Sequence, residues 1–358
     1  MALEEFGRNG DRSPIKTTTH NFRFLGSGSE FFGIWIVNIL LTIVTLGIYS
    51  AWAKVRTKRY FYGNTQLADY RFDYLADPVK ILKGRIIVIV ALIALNLISQ
   101  ISPIIALIVT LFYFIVVPWL IVRGLSFNAN MTSYRGIRFR FENTVWNAFK
   151  AYIMWPILSF ISLSILTPFA SKANVNFLAN GFRFGQSAFH AQPSAKPFYK
   201  AWFISLAIIL VPLILLAGLA VLTLGSINIH PGNDATASFG LITSGAIVYL
   251  SIAGSVLTYI ALSRNVGFNS LELHGGHRFR STVKPLPYCW IVITNSILIL
   301  ITIFLYTPWA KVRLARYLAD NTSMIAADDL DGFVSASVSE KGVASGEFLD
   351  IEGMDFGL

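Results

Sequence analysis

Few residues in this chain are placed to do chemistry. His274-Gly-Gly-His277 is the one close histidine pair. Metal sites built on such a pair add a further Cys, His or carboxylate ligand with ordered partners behind it. Here the pair straddles a Gly-Gly dipeptide, which reads as the turn of a β-hairpin. Gly26-x-Gly28 is too short for a phosphate-cradling loop and precedes an apolar run rather than sitting in a strand–turn–helix unit. No serine nucleophile elbow occurs. Glu30 and Glu142 stand just before apolar runs, where a carboxylate favours a helix N-terminus. The single cysteine, Cys289, lies in an apolar run and leaves no internal disulfide or cysteine metal cluster. The expectation is a protein with no catalytic residue, no cofactor and no metal, and so not an enzyme.

What remains is a set of cations, indoles and amides beside long apolar segments. The chain has 358 residues, 54% hydrophobic and only 13% charged, with a mean hydropathy of +0.60. Soluble domains carry about 25% charged residues, so a soluble globular protein is excluded. Residues 1–30 form a polar N-terminal segment with a short strand. The apolar run after it is too long for the core of a cleaved signal peptide. Apolar segments lie near 31–53, 85–101, 104–122, 149–170, 201–224, 239–263 and 288–310. A helix needs about 20 apolar residues to span a bilayer, and lipid demands that each backbone group be satisfied within its segment. The expected fold is an all-α multi-pass membrane protein, with about seven apolar helical segments in a repeated arrangement and short cytoplasmic β-hairpins. No Asp, Glu, Lys, Arg or His occupies the middle of a segment, which argues against ion coupling.

The repeat is explicit. Residues 20–65 and 277–322 align without gaps at an offset of 257. His20, Phe22 and Arg23 fall on His277, Phe279 and Arg280, and Asn38 falls on Asn295. Trp52-Ala-Lys54-Val-Arg56 recurs as Trp309-Ala-Lys311-Val-Arg313, followed in each copy by Arg-Tyr and Asn-Thr. Shared composition does not produce identical motifs at fixed spacing. Pro118-Trp119 with Arg123 is a weaker echo. After such runs come short alternating stretches around Phe72, Phe139, Phe184 and Phe279, three of them with Arg-Gly, Asn-Gly or Gly-Gly pairs that signal hairpins. Their basic and aromatic alternation beside membrane segments fits headgroup depth better than nucleic acid. Trp52, Lys54, Arg56, Trp309, Lys311 and Arg313 are accordingly candidate interface or lipid-headgroup anchors. Asn38 and Asn295 form the candidate intramembrane polar pair. An amide in hydrocarbon needs a partner, and each is a candidate partner for the other. Asn128 is expected in a loop.

Charge divides the chain. Residues 1–319 hold 28 of the 29 Lys and Arg but ten of the 19 acids; residues 320–358 form an acidic C-terminal tail. The tail is expected either to be solvated or to lie back across the basic hairpins. Basic connections mark the cytoplasmic side. Two topologies remain open. Seven crossings spread the basic residues over both sides. Alternatively segments 1, 4 and 7 dip in and return, breaking near Asn38, Pro156 and Asn295, and all 28 fall on one side.

The Phe22-Arg-Phe24-x-Gly26-x-Gly28-x-Glu30 entry, Thr45-Leu-Gly-Ile-Tyr-Ser-Ala-Trp52-Ala-Lys-Val-Arg56 and the second WAKVR-x-x-RY-x-x-x-NT resemble the YjgN family of bacterial inner-membrane proteins. The resemblance runs from Phe22 to Leu330 and into the tail. The first copy departs by having Ala51 where the second has Pro308. The resemblance implies multi-pass placement in the cytoplasmic membrane and transfers no catalytic residue. Two functions follow as expectations. One is a transporter or channel-like protein for an uncoupled solute, because repeats about a membrane axis are a transporter pattern. The other is a non-enzymatic envelope protein binding anionic lipid or partner proteins at the cytoplasmic face. Expected partners are membrane lipids, anionic ones above all, and a second copy of the chain, with no nucleic acid.

Overall fold

The computed structural model describes residues 17–226 and 234–327. Residues 227–233 and the acidic stretch from Asp328 onward lie outside the described residues, so the placement of the tail is not among the findings. Helices come in pairs. They are α1 Gly28–Val44 with α2 Ser50–Gly63, and α3 Pro78–Ser99 with α4 Pro103–Asn130. The third pair is α5 Val145–Phe149, a π-turn at Lys150–Met154 and α6 Trp155–Ile161, returning as α7 Thr167–Gly181. Then come α8 Ala195–Ser226 with α9 Asp234–Asn269, and α10 Pro285–Ile301 with α11 Thr307–Asp320. Local chemistry sets the starts. Ser27 and Glu30 make a reciprocal capping box on α1, Asp77 caps α3 and Ser102 caps α4. Glu142 does not cap its helix: Thr144 does, and Glu142 instead pairs with Arg183 at 2.7 Å.

Among the described residues, α3, α4, α8 and α9 alone are long and apolar enough to cross a membrane. The other three apolar segments each turn back. Helices α1 and α10 have 17 residues, about 25 Å at 1.5 Å per residue, short of a hydrocarbon core about 30 Å thick. They end in matching turns. The amides of Gly47, Ser164 and Phe304 each donate to the carbonyl five residues back, at 2.7 Å in all three. Leu46, Leu163 and Ile303 precede them with φ near +50°. This is the left-handed helix stop. The hydroxyls of Thr45, Ser162 and Thr302 then accept the amide four residues on and start the returning helix. The breaks therefore fall at these turns. Asn38 and Asn295 sit inside helices, and Pro156 follows directly on the π-turn within one continuous helical arm, where the altered hydrogen-bond ladder accommodates a proline. Replacing Pro308 by Ala51 in the first copy costs no definition, since α2 and α11 begin at equivalent residues.

The largest departure from expectation is the sheet. The short hairpins do not stand singly among helices; they join into one antiparallel sheet of 11 strands. These are β1 Thr18–Asn21, β2 Arg23–Phe24, β3 Thr65–Leu67, β4 Tyr70–Tyr74, β5 Thr132–Tyr134, β6 Ile137–Phe141, β7 Phe182–Phe184, β8 Ser187–Ala191, β9 Leu271–Leu273, β10 His277–Ser281 and β11 Thr322–Ala326. A lone two-stranded hairpin is marginal in water and leaves unpaired edges. Edge-to-edge pairing removes both problems. The ends of the sheet are β1 and β2, two halves of one segment. β1 pairs with β11, β2 pairs with β3, and between them the Phe22 amide donates to the Thr322 carbonyl at 3.0 Å. The sheet is thereby nearly a barrel. Its inner face is apolar. Phe22, Phe72, Phe139, Phe189 and Phe279 follow one another round the inside, neighbouring rings 5.9–6.4 Å apart. Beside them Leu67, Tyr134, Phe184, Leu273 and Met324 are buried. The structural repeat is thus fivefold, and the body of the protein extends to Ala326, beyond the sequence boundary at residue 319.

Because every β-hairpin starts and ends at a helix and all share one sheet, the helix–helix turns lie at the opposite end of the molecule. In a Cys289→Ala background, a membrane-impermeant maleimide added to intact cells should label Gln100→Cys, between α3 and α4, and spare Asp69→Cys, in the β3–β4 turn. Labelling of Asp69→Cys from outside would overturn a cytoplasmic sheet.

Candidate functional site

The repeated motif is absorbed by structure. Asn38 and Asn295, both buried, do not meet each other. Each accepts from the arginine of the returning arm in its own hairpin, Arg56 and Arg313, at 3.3 Å in both copies. Arg56 also donates to the Tyr49 hydroxyl at 3.1 Å, and Arg313 to Thr294 at 2.9 Å. Asn295 further donates to the Ala310 carbonyl, whereas the Asn38 amide nitrogen has no partner. Counted from the turn, Trp155 of the third copy stands where Asn38 and Asn295 do, and it stacks at 5.5 Å on Phe169, which holds the place of Trp52 and Trp309. A polar clasp and an aromatic stack hold the same pair of helices together.

The rest of the motif ties copies to their neighbours. Trp52 stacks on Tyr49, and Trp309 on Tyr306. Trp309 also lies over Gly28, where an added Cβ would come within 2.2 Å of the indole, so glycine is required for the last copy to close on the first. Arg59 donates to the Tyr74 and Ala76 carbonyls leading into α3, and Arg316 donates to Gly26, the matching residue before α1. Tyr60 holds its own hairpin's entry through the Ser27 carbonyl, and Tyr317 does so through Lys284. The Asn-Thr pairs bond back to the last turn of α2 and α11. Of the six proposed anchors, Arg56 and Lys311 are exposed and Trp52, Lys54, Trp309 and Arg313 are half-buried. All six lie on helical arms rather than in basic loops. The His274–His277 pair spans the β9–β10 turn, with Gly275 and Gly276 at positive φ. His277 is buried and accepts from the Ala327 amide at 3.4 Å.

The feature that sequence reasoning missed is a cavity of about 610 Å³ at the junction of helices and sheet. Its walls are α2, α4, α7 and α9, and its floor includes Phe72, Phe139 and Phe189 of the phenylalanine series. The lining is apolar except for a few groups, chiefly Lys58, Arg264 and Asn128. Asn128, expected in a loop, is on α4 and accepts from both the Lys58 ammonium and the Tyr74 hydroxyl. Lys58 lies 4.8 Å from the Tyr74 ring centre. Burial, helped by repulsion from Lys54, lowers the Lys58 amine to about 8, and burial raises the Tyr74 phenol to about 12. Arg264 donates to the Ser281 and Thr322 hydroxyls and covers the Phe268 ring at 4.3 Å. Such an arrangement can hold an apolar group and neutralise an anion. Among the described residues no three His, Cys, Asp or Glu gather to hold a metal.

Four candidate spans, three shorter helical hairpins and one sheet at their common end define a multi-pass membrane protein with a fivefold internal repeat. The chain belongs to the family described as bacterial protein of unknown function DUF898, whose pattern matches residues 19–351. It is 26% identical over 351 residues to the inner membrane protein YjgN of Salmonella typhimurium, covering 85% of this chain and 88% of that one. It is 32% identical over 155 residues to the YjgN protein of Escherichia coli O157:H7, covering 43% and 39%. No solved structure matches the chain. The protein is an inner-membrane protein.

If the amide–guanidinium clasp stabilises the first hairpin, Asn38→Leu should cost about 1 kcal/mol, the usual net worth of a hydrogen bond, because the Arg56 side chain left behind is exposed and keeps its bond to Tyr49. The Asn38→Leu/Arg56→Met double variant should then be little worse than either single one in detergent unfolding. Additive losses would show that the contact carries no energy.

Proposed function

We propose that this protein is a non-enzymatic lipid-binding protein of the inner membrane, with its sheet on the cytoplasmic side against anionic headgroups. The observation that carries this reading is the division of the sheet into two faces. Inward positions hold the phenylalanine series and its buried neighbours. Outward positions hold Arg23, Arg71, Arg138, Arg140 and Arg280, all exposed. Arg23, Arg140 and Arg280 stand next to the strand ends that meet the helices, nearest the membrane surface. Near an anionic leaflet each such residue contributes about 1 kcal/mol. The transport reading fits this division less well. A solute following the axis would have to pass the apolar packing that fills the sheet, a route without water or polar partners.

The test is titration of the detergent-purified protein with phosphatidylglycerol or phosphatidylcholine in mixed micelles. Phosphatidylglycerol should bind more tightly at low salt, and the difference should fade as salt screens it. Each of Arg23→Gln, Arg140→Gln and Arg280→Gln should weaken phosphatidylglycerol binding by about fivefold, the equivalent of that contribution. Equal binding of the two lipids would contradict the proposal, and solute flux through proteoliposomes would revive transport.

A further inference from the structure

Lys58 and Arg264 are five residues from the ends of α2 and α9, each about 7.5 Å of helix above the sheet. Two cations from different copies of the repeat therefore line one apolar cavity at the same level, where helix gives way to sheet. A membrane-embedded helix passes from hydrocarbon to headgroup at this kind of boundary. Neither cation has a carboxylate partner among the described ion pairs. Among the described residues the ammonium, with three donors, bonds Asn128, and the guanidinium, with five, bonds two hydroxyls. Both side chains keep donors beyond these bonds, although little of the cavity wall itself is polar. The wall beyond them is apolar, formed by residues such as Leu125, Val175, Leu178 and Phe182. The volume lies within the roughly 300–1,000 Å³ that takes one small ligand. It suits one acyl chain rather than a whole diacyl lipid.

We infer that this cavity is a seat for one anionic phospholipid, with an acyl chain against the apolar wall and its phosphate between Lys58 and Arg264. The inference rests on the lipid-binding reading above but concerns a separate place, inside the ring of helices rather than on the outer face of the sheet. Apolar lining alone would accept any chain. The two cations make the seat selective for a negative headgroup, and they are worth far more there than at an exposed surface. Lys58 also gains by the contact: a phosphate beside it restores the charge that burial disfavours. The seat would hold its lipid through detergent washing, while lipids on the outer face exchange freely.

Native mass spectrometry of the full chain, purified in detergent and incubated with dioleoyl phosphatidylglycerol or dioleoyl phosphatidylcholine, tests this directly. The two lipids have the same chains, so only the headgroup differs. The expected result is one phosphatidylglycerol retained per chain and no phosphatidylcholine. Lys58→Met should weaken retention by about tenfold, the worth of one charge-assisted hydrogen bond. Val175→Trp, which fills the cavity without touching a charge, should abolish it. Arg140→Gln on the outer face should leave the retained lipid in place. Loss of the salt-sensitive preference with the retained lipid intact would sink the surface reading and leave the seat standing. No retained lipid, equal retention of both lipids, or retention unaffected by Lys58→Met and Val175→Trp would overturn the seat.

Discussion

The molecule depends on seven residues near its N-terminus. The strands of the sheet are three to five residues long apart from the two-residue β2, too short to be stable in isolation. They survive by pairing edge to edge, and a row of paired hairpins ends in two open edges unless something joins them. Residues 18–24 join them, serving β11 with one half and β3 with the other. This closes the chain's last hairpin without a covalent turn. It also brings α11 against α1, where Trp309 covers Gly28 and Arg316 reaches the Gly26 carbonyl. Once the sheet is closed, helical pairs radiate from a common base, every hairpin lies on one side, and an open cavity forms where four of the five pairs meet it.

The membrane supplies a second constraint. Long helices can present Leu, Ile and Val to lipid, and α3, α4, α8 and α9 leave such side chains exposed over most of their surface. Re-entering hairpins must keep backbone polar groups satisfied at the turn, away from water. The three turns use the same device: a left-handed pair of residues, an amide reaching five residues back, and a hydroxyl that starts the next helix. Non-glycine residues in the left-handed region cost roughly 1–2 kcal/mol each, and two of the three turns accept that cost twice. The amide–guanidinium clasps in the first and last hairpins and the aromatic stack in the third hold arms that no second crossing supports.

Much of this was legible in the sequence. Apolar runs, hairpin signals, the 257-residue offset and the family were there to read. The meaning of WAKVR-x-x-RY-x-x-x-NT was not, because its side chains bond to entry loops and helix ends that the spacing does not locate. The third copy was hidden because Trp155 stands in the place of Asn38 and Ala173 in that of Arg56, so a stack on Phe169 replaces the hydrogen bond. Re-entry was one of two readings, but its breaks were assigned to Asn and Pro; Gly47 marked the true turn in one copy only. The closed sheet could not be inferred from hairpins taken singly, since pairing across copies leaves no local signal. The cavity was invisible for the same reason: Lys58 and Arg264 are 206 residues apart and belong to different copies.

Closure by the N-terminal segment is the claim on which the rest stands. Asn21 and Ser323 are directly opposed on β1 and β11, and opposed residues in an antiparallel pair lie about 4.5–5.5 Å apart at Cα, within reach of a disulfide. Oxidation of an Asn21→Cys/Ser323→Cys variant in a Cys289→Ala background, in native membranes, should give an intramolecular crosslink in nearly every chain. A failure to crosslink, or crosslinks found only between two chains, would contradict the closed ring.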